Sequence, residues 1–211
     1  MNLTVLGATG GVGRQVVRHA LDDGHKVTAV VRDPARLGIE HESLSVVRTN
    51  PLDATSLTEV IEGADAVLSG IGQAGRTDPL RPASTSARAA VEAMVATGVR
   101  RIVVMSSGTL NRTGVGQPWF SHRVLTPALW AVLREAYIDL ERMERILRES
   151  GLDWTAVRPP RLTNAKAKDS YRDAIEAGPT GTMITRADVA RAMLDYIAVP
   201  GTIQHAVGVS N

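Results

Sequence analysis

The chain has 211 residues, 44% of them hydrophobic and 22% charged, which is enough apolar material to build one well-packed core. This composition excludes disordered, collagen-like and disulfide-stapled chains, and the formal net charge of +2 gives no reason to expect a nucleic-acid partner. The sequence contains no cysteine, which also excludes thiolate nucleophiles and cysteine-ligated metal centres.

The first residues carry no targeting pattern, because Met1–Leu6 runs straight into Gly7 without the basic and apolar segments of a signal peptide. No later run approaches the roughly 20 apolar residues of a membrane span. We therefore expect a soluble, cytoplasmic protein with no membrane partner. The five histidines lack the spacing of a metal-binding motif, so we also expect no metal site.

Short apolar runs alternate with amphipathic segments along the chain. Runs typical of buried parallel strands occupy Leu3–Leu6, Val27–Val31, Ala66–Leu68, Ile102–Met105 and Thr155–Val157, with weaker candidates at Leu44–Val47 and Met183–Thr185. Apolar residues at helical spacing occupy Val12–Leu21, Ser86–Thr97 and, after Pro127, Leu129–Leu147. This alternation predicts an α/β, Rossmann-type fold: a doubly wound, mainly parallel sheet with helices on both faces, in three α/β/α layers.

Two segments interrupt the alternation. Glycines and prolines break any helix in residues 108–127, which follow a central predicted strand and so should lie over the carboxyl edge of the sheet. Residues 163–180 are polar, and their pattern leaves open a short helix with loops or a mobile lid. We expect a single domain over residues 1–211, with a small substrate-binding region formed by residues 108–127 and 159–182.

The last predicted helix carries interleaved charges. Its basic and acidic residues are Arg142, Arg145 and Arg148 with Glu141, Glu144 and Glu149. Opposite charges at this spacing are typical of a solvated helical face, and we prefer that interpretation to a nucleic-acid groove.

A glycine-rich segment, Gly7–Gly13, lies directly between the first predicted strand and the first predicted helix. Glycine permits positive φ and removes the Cβ that would keep backbone amides away from a pyrophosphate, and the helix N-terminus adds free N–H groups. The spacing is Gly-x-x-Gly-x-x-Gly. It predicts a dinucleotide site, and the alternative is a turn that needs glycine for steric reasons alone.

The choice of dinucleotide depends on the end of the second strand, where the adenosine ribose should lie. A carboxylate there would bind the ribose 2′-hydroxyl of NAD, whereas arginine would bind the 2′-phosphate of NADP. The chain has Arg32 and Asp33, with Arg36 shortly after. Two guanidiniums suit a dianionic phosphate, so we predict NADP(H) in preference to NAD(H). The alternative is a solvated turn without a ligand.

Together these features resemble a known family. The segments that carry the resemblance are Thr4–Gly13, Val30–Asp33, Ile102–Ser107, Leu147–Pro160 and Ile184–Ala190. They resemble the atypical short-chain dehydrogenase/reductases, and among these the NAD(P)H-binding group that contains flavin reductases of the biliverdin reductase B type and NmrA-like proteins. The resemblance spans nearly the whole chain.

At matching positions the resemblance implies a set of cofactor contacts. The pyrophosphate would lie against Gly7, Thr9, Gly10, Gly11, Val12 and Gly13. The 2′-phosphate would meet Arg32 and Arg36, and the adenine would lie between Asn50, where the family usually has aspartate, and Leu52. The nicotinamide half would lie against Gly70, Ile71, Gly72, Met105, Ser106, Pro159 and Pro160.

The usual Tyr-x-x-x-Lys pair of short-chain dehydrogenases is absent, since Tyr137 is followed four residues later by Glu141. Alcohol dehydrogenase chemistry is therefore not expected, and hydride transfer would depend on placing an acceptor against the nicotinamide. Ser107 matches the serine beside the nicotinamide in the related flavin reductases, which implies a catalytic and substrate-binding role. The alternative is a strand-end serine that bonds to backbone.

Three further residues are candidates for the substrate side. Arg161 stands where the related reductase has histidine and could pair with an anionic substrate group, although an ordinary surface arginine fits equally well. Trp119 and Phe120 could stack on a flat acceptor or could pack onto the core.

The sequence thus predicts an NADPH-dependent oxidoreductase that transfers hydride to a flat conjugated acceptor, such as a quinone or a flavin like FMN. The alternative is an NmrA-like redox sensor that binds NADP(H) and acts through a protein partner without turnover. A third interpretation is an assembly factor that keeps only the fold. We expect a nicotinamide dinucleotide and a small-molecule acceptor as partners, and a monomer or small homo-oligomer.

Overall fold

The computed structural model describes residues 1–72, 78–111, 126–178 and 181–211, except for the side chains of residues 126–129. Eight strands form one sheet: β1 (Asn2–Leu6), β2 (Lys26–Val31), β3 (Leu44–Arg48), β4 (Ala66–Ser69), β5 (Arg101–Met105), β6 (Asp153–Arg158), β8 (Arg172–Ile175) and β10 (His205–Ser210). Two short strands, β7 (Arg161–Thr163) and β9 (Met183–Thr185), pair in a second sheet.

The large sheet has the strand order β3-β2-β1-β4-β5-β6-β10-β8. All of its neighbouring strands are parallel except β8, which runs antiparallel to β10. The chain builds outward from β1 in one direction as far as β3 and then returns to β4 on the other side. The carboxyl ends of β1 and β4 therefore flank a topological switch point, where ligands bind in folds of this type.

Helices cover both faces of the sheet, as the sequence pattern predicts. They are α1 (Gly11–Asp22), α2 (Ala54–Ile61), α3 (Pro82–Thr97), α4 (Thr126–Glu149) and α5 (Arg186–Asp195). α1 and α5 pack on one face, and α2, α3 and α4 pack on the other. Within β1, Val5 faces the first core and Leu6 faces the second, because successive side chains of a strand point in opposite directions. The predicted doubly wound α/β fold is confirmed.

The strand predictions are confirmed to within one or two residues, with one change of position. The weaker candidate at Met183–Thr185 is a strand, but it pairs with β7 in the small sheet rather than joining the large one. Residues 163–178 form no helix in the part of the chain described, and they contain strand β8. The buried carboxylate of Asp188 accepts hydrogen bonds from the amides of Lys168 and Asp169 at 3.1–3.2 Å and so fastens this segment to α5.

An ion pair fastens α1 to α5. Arg191 on α5 donates to the carboxylate of Asp23, just after α1, at 2.6 Å, and also to Asp195 at 3.0 Å. The hydrogen bond from Arg191 lowers the pKa of Asp23. This pairing holds the middle of α5 beside the end of α1.

A buried carboxylate from α4 caps α3. Asp139 is 1% exposed and accepts hydrogen bonds from the amide of Ala83 at 3.0 Å and from the amide and hydroxyl of Ser84 at 3.1 and 2.5 Å. The N-cap residue itself, Arg81, supplies no side-chain cap and lies in the left-handed region at φ 46°. α3 therefore depends on a distant acceptor for its first turn.

We predict that Asp139→Ala lowers the free energy of unfolding by about 2–3 kcal/mol, because it leaves the buried donors of α3 without an acceptor. Urea denaturation followed by circular dichroism measures this loss. The matched control is Asp53→Ala, which removes the exposed cap that accepts from Ser56 at the start of α2 and should cost less. Equal losses in the two variants would contradict the assigned role of Asp139.

Candidate dinucleotide site

A cleft of about 420 Å³ lies at the carboxyl ends of the central strands. It brings together twelve of the residues predicted to bind cofactor: Gly7, Thr9, Gly10, Gly11, Val12, Arg32, Arg36, Leu52, Gly70, Ile71, Gly72 and Met105. It also contains residues that the sequence analysis did not single out: Val30, Val31, Pro51, Asp78, Leu80, Pro82, Leu162 and Arg186.

The turn after β1 requires glycine at two positions. Gly7 has φ +73°, and its carbonyl oxygen accepts from the amide of Gly10 at 2.9 Å, which closes the turn. A Cβ on Gly13 would lie 2.2 Å from that same carbonyl oxygen. Gly13 therefore does not line the cleft but lies beneath the turn, where it lets α1 pack directly against it.

The turn after β1 also packs against the segment that follows β4. A Cβ on Gly7 would lie 2.8 Å from Cγ1 of Ile71, and a Cβ on Gly70 would lie 3.0 Å from the amide nitrogen of Gly13. The two backbones thus approach too closely for side chains. They leave a cradle of exposed main chain that fits a pyrophosphate and its neighbouring ribose.

The N-terminus of α1 opens toward this cradle. Gly10 is the N-cap and contributes no side-chain acceptor, and the first turn contains no acidic residue. The positive end of the helix is therefore available to an anion.

An arginine crosses the outer side of the turn. The side chain of Arg186, at the start of α5, lies so close to Gly11 that a Cβ there would be 2.8 Å from its Cδ and Nε. Nη1 of Arg186 donates to Oδ1 of Asn164 at 2.7 Å, which fixes the guanidinium in place. Arg186 belongs to the family-like segment Ile184–Ala190 but was not predicted to be a site residue. Its position beside Gly11 depends on how α5 packs against α1, which the sequence does not show.

The acidic and basic residues after β2 have different roles in the structure. Asp33 accepts from the amide of Ala35 at 3.2 Å and caps a short 3₁₀ turn over Pro34–Arg36, which we call the 34–36 turn. Arg32 and Arg36 are exposed, line the cleft and have no carboxylate partner among the described residues. The carboxylate therefore shapes the turn, while both guanidiniums are left for a ligand.

Of the two residues predicted to contact the adenine, one lines the cleft and the other shapes a turn. Leu52 and Pro51 line the cleft. Asn50 does not line it, because its Oδ1 accepts from the amide of Leu52 at 3.2 Å and so shapes the turn that presents its two neighbours.

At the nicotinamide end, the structure brings Met105 to the cleft but not Ser106, Pro159 or Pro160. The hydroxyl of Ser106 donates to Oε1 of Glu144 on α4 at 2.7 Å. The carbonyl of Pro159 accepts from the amide of Gly108 at 2.8 Å, which ties the loop after β5 to the loop after β6. The bonds of Ser106 and Pro159 therefore join neighbouring elements of the fold.

Glu144 is the centre of a buried charge cluster, which corrects the interpretation of this part of α4 as solvated. Its carboxylate is 2% exposed and accepts from Arg158 at 2.9 and 2.6 Å and from Arg148 at 2.6 Å, besides Ser106. One carboxylate thus joins α4 to the ends of β5 and β6. The error arose because charge periodicity alone does not show which neighbouring strands a helix meets.

Ser107 bonds within its own turn. Its Oγ lies 2.7 Å from Oγ1 of Thr109 and accepts from the amide of Thr109 at 3.4 Å, where it caps the 3₁₀ turn over Gly108–Leu110. Arg161 is exposed on β7. Trp119 and Phe120 lie outside the described residues.

None of the three tyrosines resembles a catalytic phenol beside a lysine. The ring of Tyr137 is 7% exposed and packs against Trp130 with centroids 5.1 Å apart. Tyr171 donates to Asp195 at 2.8 Å, and Tyr196 donates to Asp173 at 3.0 Å. Burial, reinforced by these carboxylates, raises the pKa of both phenols.

Comparison with known proteins agrees with this geometry. A sequence model of the NAD(P)H-binding family matches residues 7–200. This chain belongs to the NAD(P)H-binding family. The match begins at the first glycine of the turn and includes every residue described above as lining the cleft.

Two relatives and one solved structure show how far the similarity extends. The photosystem II assembly factor Ycf39 of Guillardia theta is 35% identical over half of this chain, which spans 35% of its length. A (4-alkanoyl-5-oxo-2,5-dihydrofuran-3-yl)methyl phosphate reductase of Streptomyces griseus is 29% identical over 74% of this chain, which spans 46% of its length. The whole chain superimposes on 94% of a Veillonella parvula short-chain dehydrogenase/reductase in complex with NADP, at 20% identity and a TM-score of 0.81.

The helices, and the histidine and carboxylate side chains, bear on two other kinds of partner, membranes and metal ions. Among the helices in the described ranges, none combines the length and apolar character needed to cross a membrane. The described residues also contain no group of three or more histidine or carboxylate side chains able to hold a metal ion.

We predict that Gly13→Ala abolishes measurable dinucleotide binding and lowers the free energy of unfolding by about 3 kcal/mol, because the new methyl group would overlap the carbonyl of Gly7. Calorimetric titration with NADPH and urea denaturation measure the two effects. Gly201→Ala is the control, since a Cβ there would meet nothing within 4 Å. Wild-type affinity in Gly13→Ala would contradict the packing argument.

Proposed function

We propose that this protein is an NADPH-dependent reductase that transfers hydride to a flat conjugated acceptor such as a flavin or a quinone. The observation that carries the proposal is the continuous cleft that joins the glycine cradle to two guanidiniums with no carboxylate partner among the described residues. The cradle suits a pyrophosphate, and the guanidiniums suit the extra phosphate of NADP.

The preference for NADP over NAD rests on the roles of the charges after β2. A protein selective for NAD would offer a carboxylate to the ribose hydroxyls at this point. Here Asp33 accepts from the amide of Ala35, while Arg32 and Arg36 face the cleft and form no ion pair with a carboxylate among the described residues. A dianionic 2′-phosphate would supply the negative charge.

The type of acceptor follows from the chain's own side chains. The bound cofactor supplies the hydride, and the protein binds it, orients it and excludes water. No tyrosine beside a lysine is available to move a proton to or from an alcohol, because all three phenols are packed or bound to carboxylates. Flavins and quinones accept hydride without a strong protein acid, so placement alone suffices.

Ser107, Arg161, Trp119 and Phe120 are the substrate-side residues of this proposal. Ser107 follows the strand that brings Met105 to the cleft, so its hydroxyl could orient the acceptor or the nicotinamide carboxamide. Arg161 offers a guanidinium to an anionic acceptor, and the Streptomyces griseus relative is named for the reduction of a phosphate ester. Residues 108–127 and 159–182 would form the substrate-binding region, and we place the reaction in the cytoplasm.

A redox sensor that binds NADP(H) without turnover is the second candidate. It is favoured by the hydrogen bonds that hold the hydroxyl of Ser107 within its own turn, which is the pattern of a structural serine. This protein would bind oxidised and reduced nucleotide with different affinities and present a different surface to a protein partner in each state.

Mixing the protein with NADPH and either FMN or menadione tests the two candidates directly. Acceptor-dependent loss of the absorbance of reduced nicotinamide, well above the rate without protein, supports the reductase. Tight NADPH binding without any oxidation favours the sensor, and failure to bind any nicotinamide dinucleotide would contradict both.

We predict that Arg32→Ala weakens NADPH binding by about 10- to 100-fold and NADH binding by less than about twofold, because a charge-assisted phosphate contact is worth roughly 1.5–3 kcal/mol. Calorimetric titration of each nucleotide gives the two ratios. Arg88→Ala on the exposed side of α3 is the control and should change neither. A comparable loss for NADPH and NADH would show that Arg32 does not recognise the 2′-phosphate.

We predict that Ser107→Ala lowers the turnover number with FMN or menadione about tenfold and leaves the dissociation constant of NADPH unchanged, because the hydroxyl orients reactants without holding the cofactor. Stopped-flow oxidation of NADPH measures the rate. Thr109→Val removes the hydroxyl that bonds to Ser107 and controls for disturbance of the turn. Similar losses in the two variants, or no loss in Ser107→Ala, would return Ser107 to a structural role.

A further inference from the structure

Arg14 links the glycine turn to the residues that face the adenosine ribose. It follows Gly13 on α1, and its Nη2 donates a hydrogen bond to the carbonyl oxygen of Arg36. This bond fastens the last residue of the 34–36 turn to the helix. The position of the Arg36 side chain in the cleft therefore depends on Arg14.

The surroundings of Arg14 are positively charged in the part of the chain that the structure describes. A second hollow, of about 360 Å³, lies beside the cleft and shares Thr9, Gly10 and Gly11 with it. Its charged lining in the described part of the chain consists of Arg14, Arg18 and Arg186.

The guanidinium of Arg14 also retains an unused donor. Its Nε is buried and has no hydrogen-bond partner among the described residues. An unpaired donor of this kind is costly unless a ligand or an ordered water satisfies it. Arg32 and Arg36 line the cleft, and Arg14 reaches the backbone of Arg36 from the neighbouring hollow, so a third guanidinium lies against the 34–36 turn.

We infer that Arg14 determines specificity for the 2′-phosphate of the nucleotide, because it anchors the 34–36 turn and adds a third positive charge beside Arg32 and Arg36. The inference rests on the proposed preference for NADP. Arg14 acts as a positioning residue through Arg36, and its charge adds to the electrostatic attraction of a dianion.

Calorimetric titration with adenosine 2′,5′-bisphosphate and with adenosine 5′-monophosphate tests the inference without any turnover. Arg14→Ala should weaken binding of the bisphosphate about tenfold and binding of the monophosphate less than twofold. Arg14→Lys keeps the charge and one donor and should recover part of the lost affinity. Arg18→Ala, one helical turn further on, also lines the hollow and should change neither affinity by more than about twofold.

Each outcome decides between named possibilities. Equal weakening of both ligands in Arg14→Ala would make Arg14 a general structural residue, and unchanged affinity for both would also overturn the inference. Wild-type protein that binds the two ligands equally would refute the NADP preference itself, and with it the premise for Arg14. Thermal unfolding without ligand shows whether each variant is folded. If Arg14→Ala does not fold, Arg14→Lys provides the test in its place.

Discussion

The site depends on the close approach of two backbones at the centre of the sheet. The turn after β1 and the segment after β4 touch where a side chain on Gly7, Gly13 or Gly70 would overlap main-chain or side-chain atoms within about 3 Å. Since β1 and β4 are parallel neighbours, both segments leave the sheet at the same edge. Their contact shapes the cradle, and the N-terminus of α1 opens toward it. The remaining cleft residues lie around this contact.

Charge is distributed unevenly around this cradle. Away from it, buried carboxylates are satisfied by donors: Glu144 accepts from Arg158, Asp139 from the first turn of α3, and Asp188 from the amides of Lys168 and Asp169. Beside it, Arg32 and Arg36 have no carboxylate partner among the described residues. Like charges kept close together without compensation disfavour the free protein slightly and favour capture of an anion. The proposed phosphate site rests on this contrast between the satisfied carboxylates of the fold and the cleft arginines, which lack a carboxylate partner in the described part of the chain.

The chemistry available at the site is limited by where the tyrosines lie. Tyr137 packs against Trp130, Tyr171 donates to Asp195 at the end of α5, and Tyr196 donates to Asp173 on β8. The three phenols of this chain are therefore packed or hydrogen-bonded to carboxylates. The reaction proposed above relies on correct placement of donor and acceptor rather than on a phenol.

The sequence by itself determined the features that local physics controls. Alternating apolar periods predicted β1 to β6 of the large sheet and helices α1, α3 and α4, but not β8, β10, α2 or α5. The spacing of Gly7, Gly10 and Gly13 predicted the glycine turn, because strand, turn and helix are contiguous in the chain. Arg32 and Arg36 were predictable as cleft residues because they directly follow a recognisable strand.

Contacts between distant residues were decided only by the tertiary structure. Asp139 caps a helix more than fifty positions away, Glu144 joins Ser106 to Arg158, and Arg186 crosses Gly11 from the start of the last helix. The hydrogen bond from Arg14 to Arg36 is another such contact, since it depends on how α1 packs against the turn after β2. No local pattern encodes these pairings, because each depends on the packing angle and register of whole elements rather than on the spacing of neighbours in the chain.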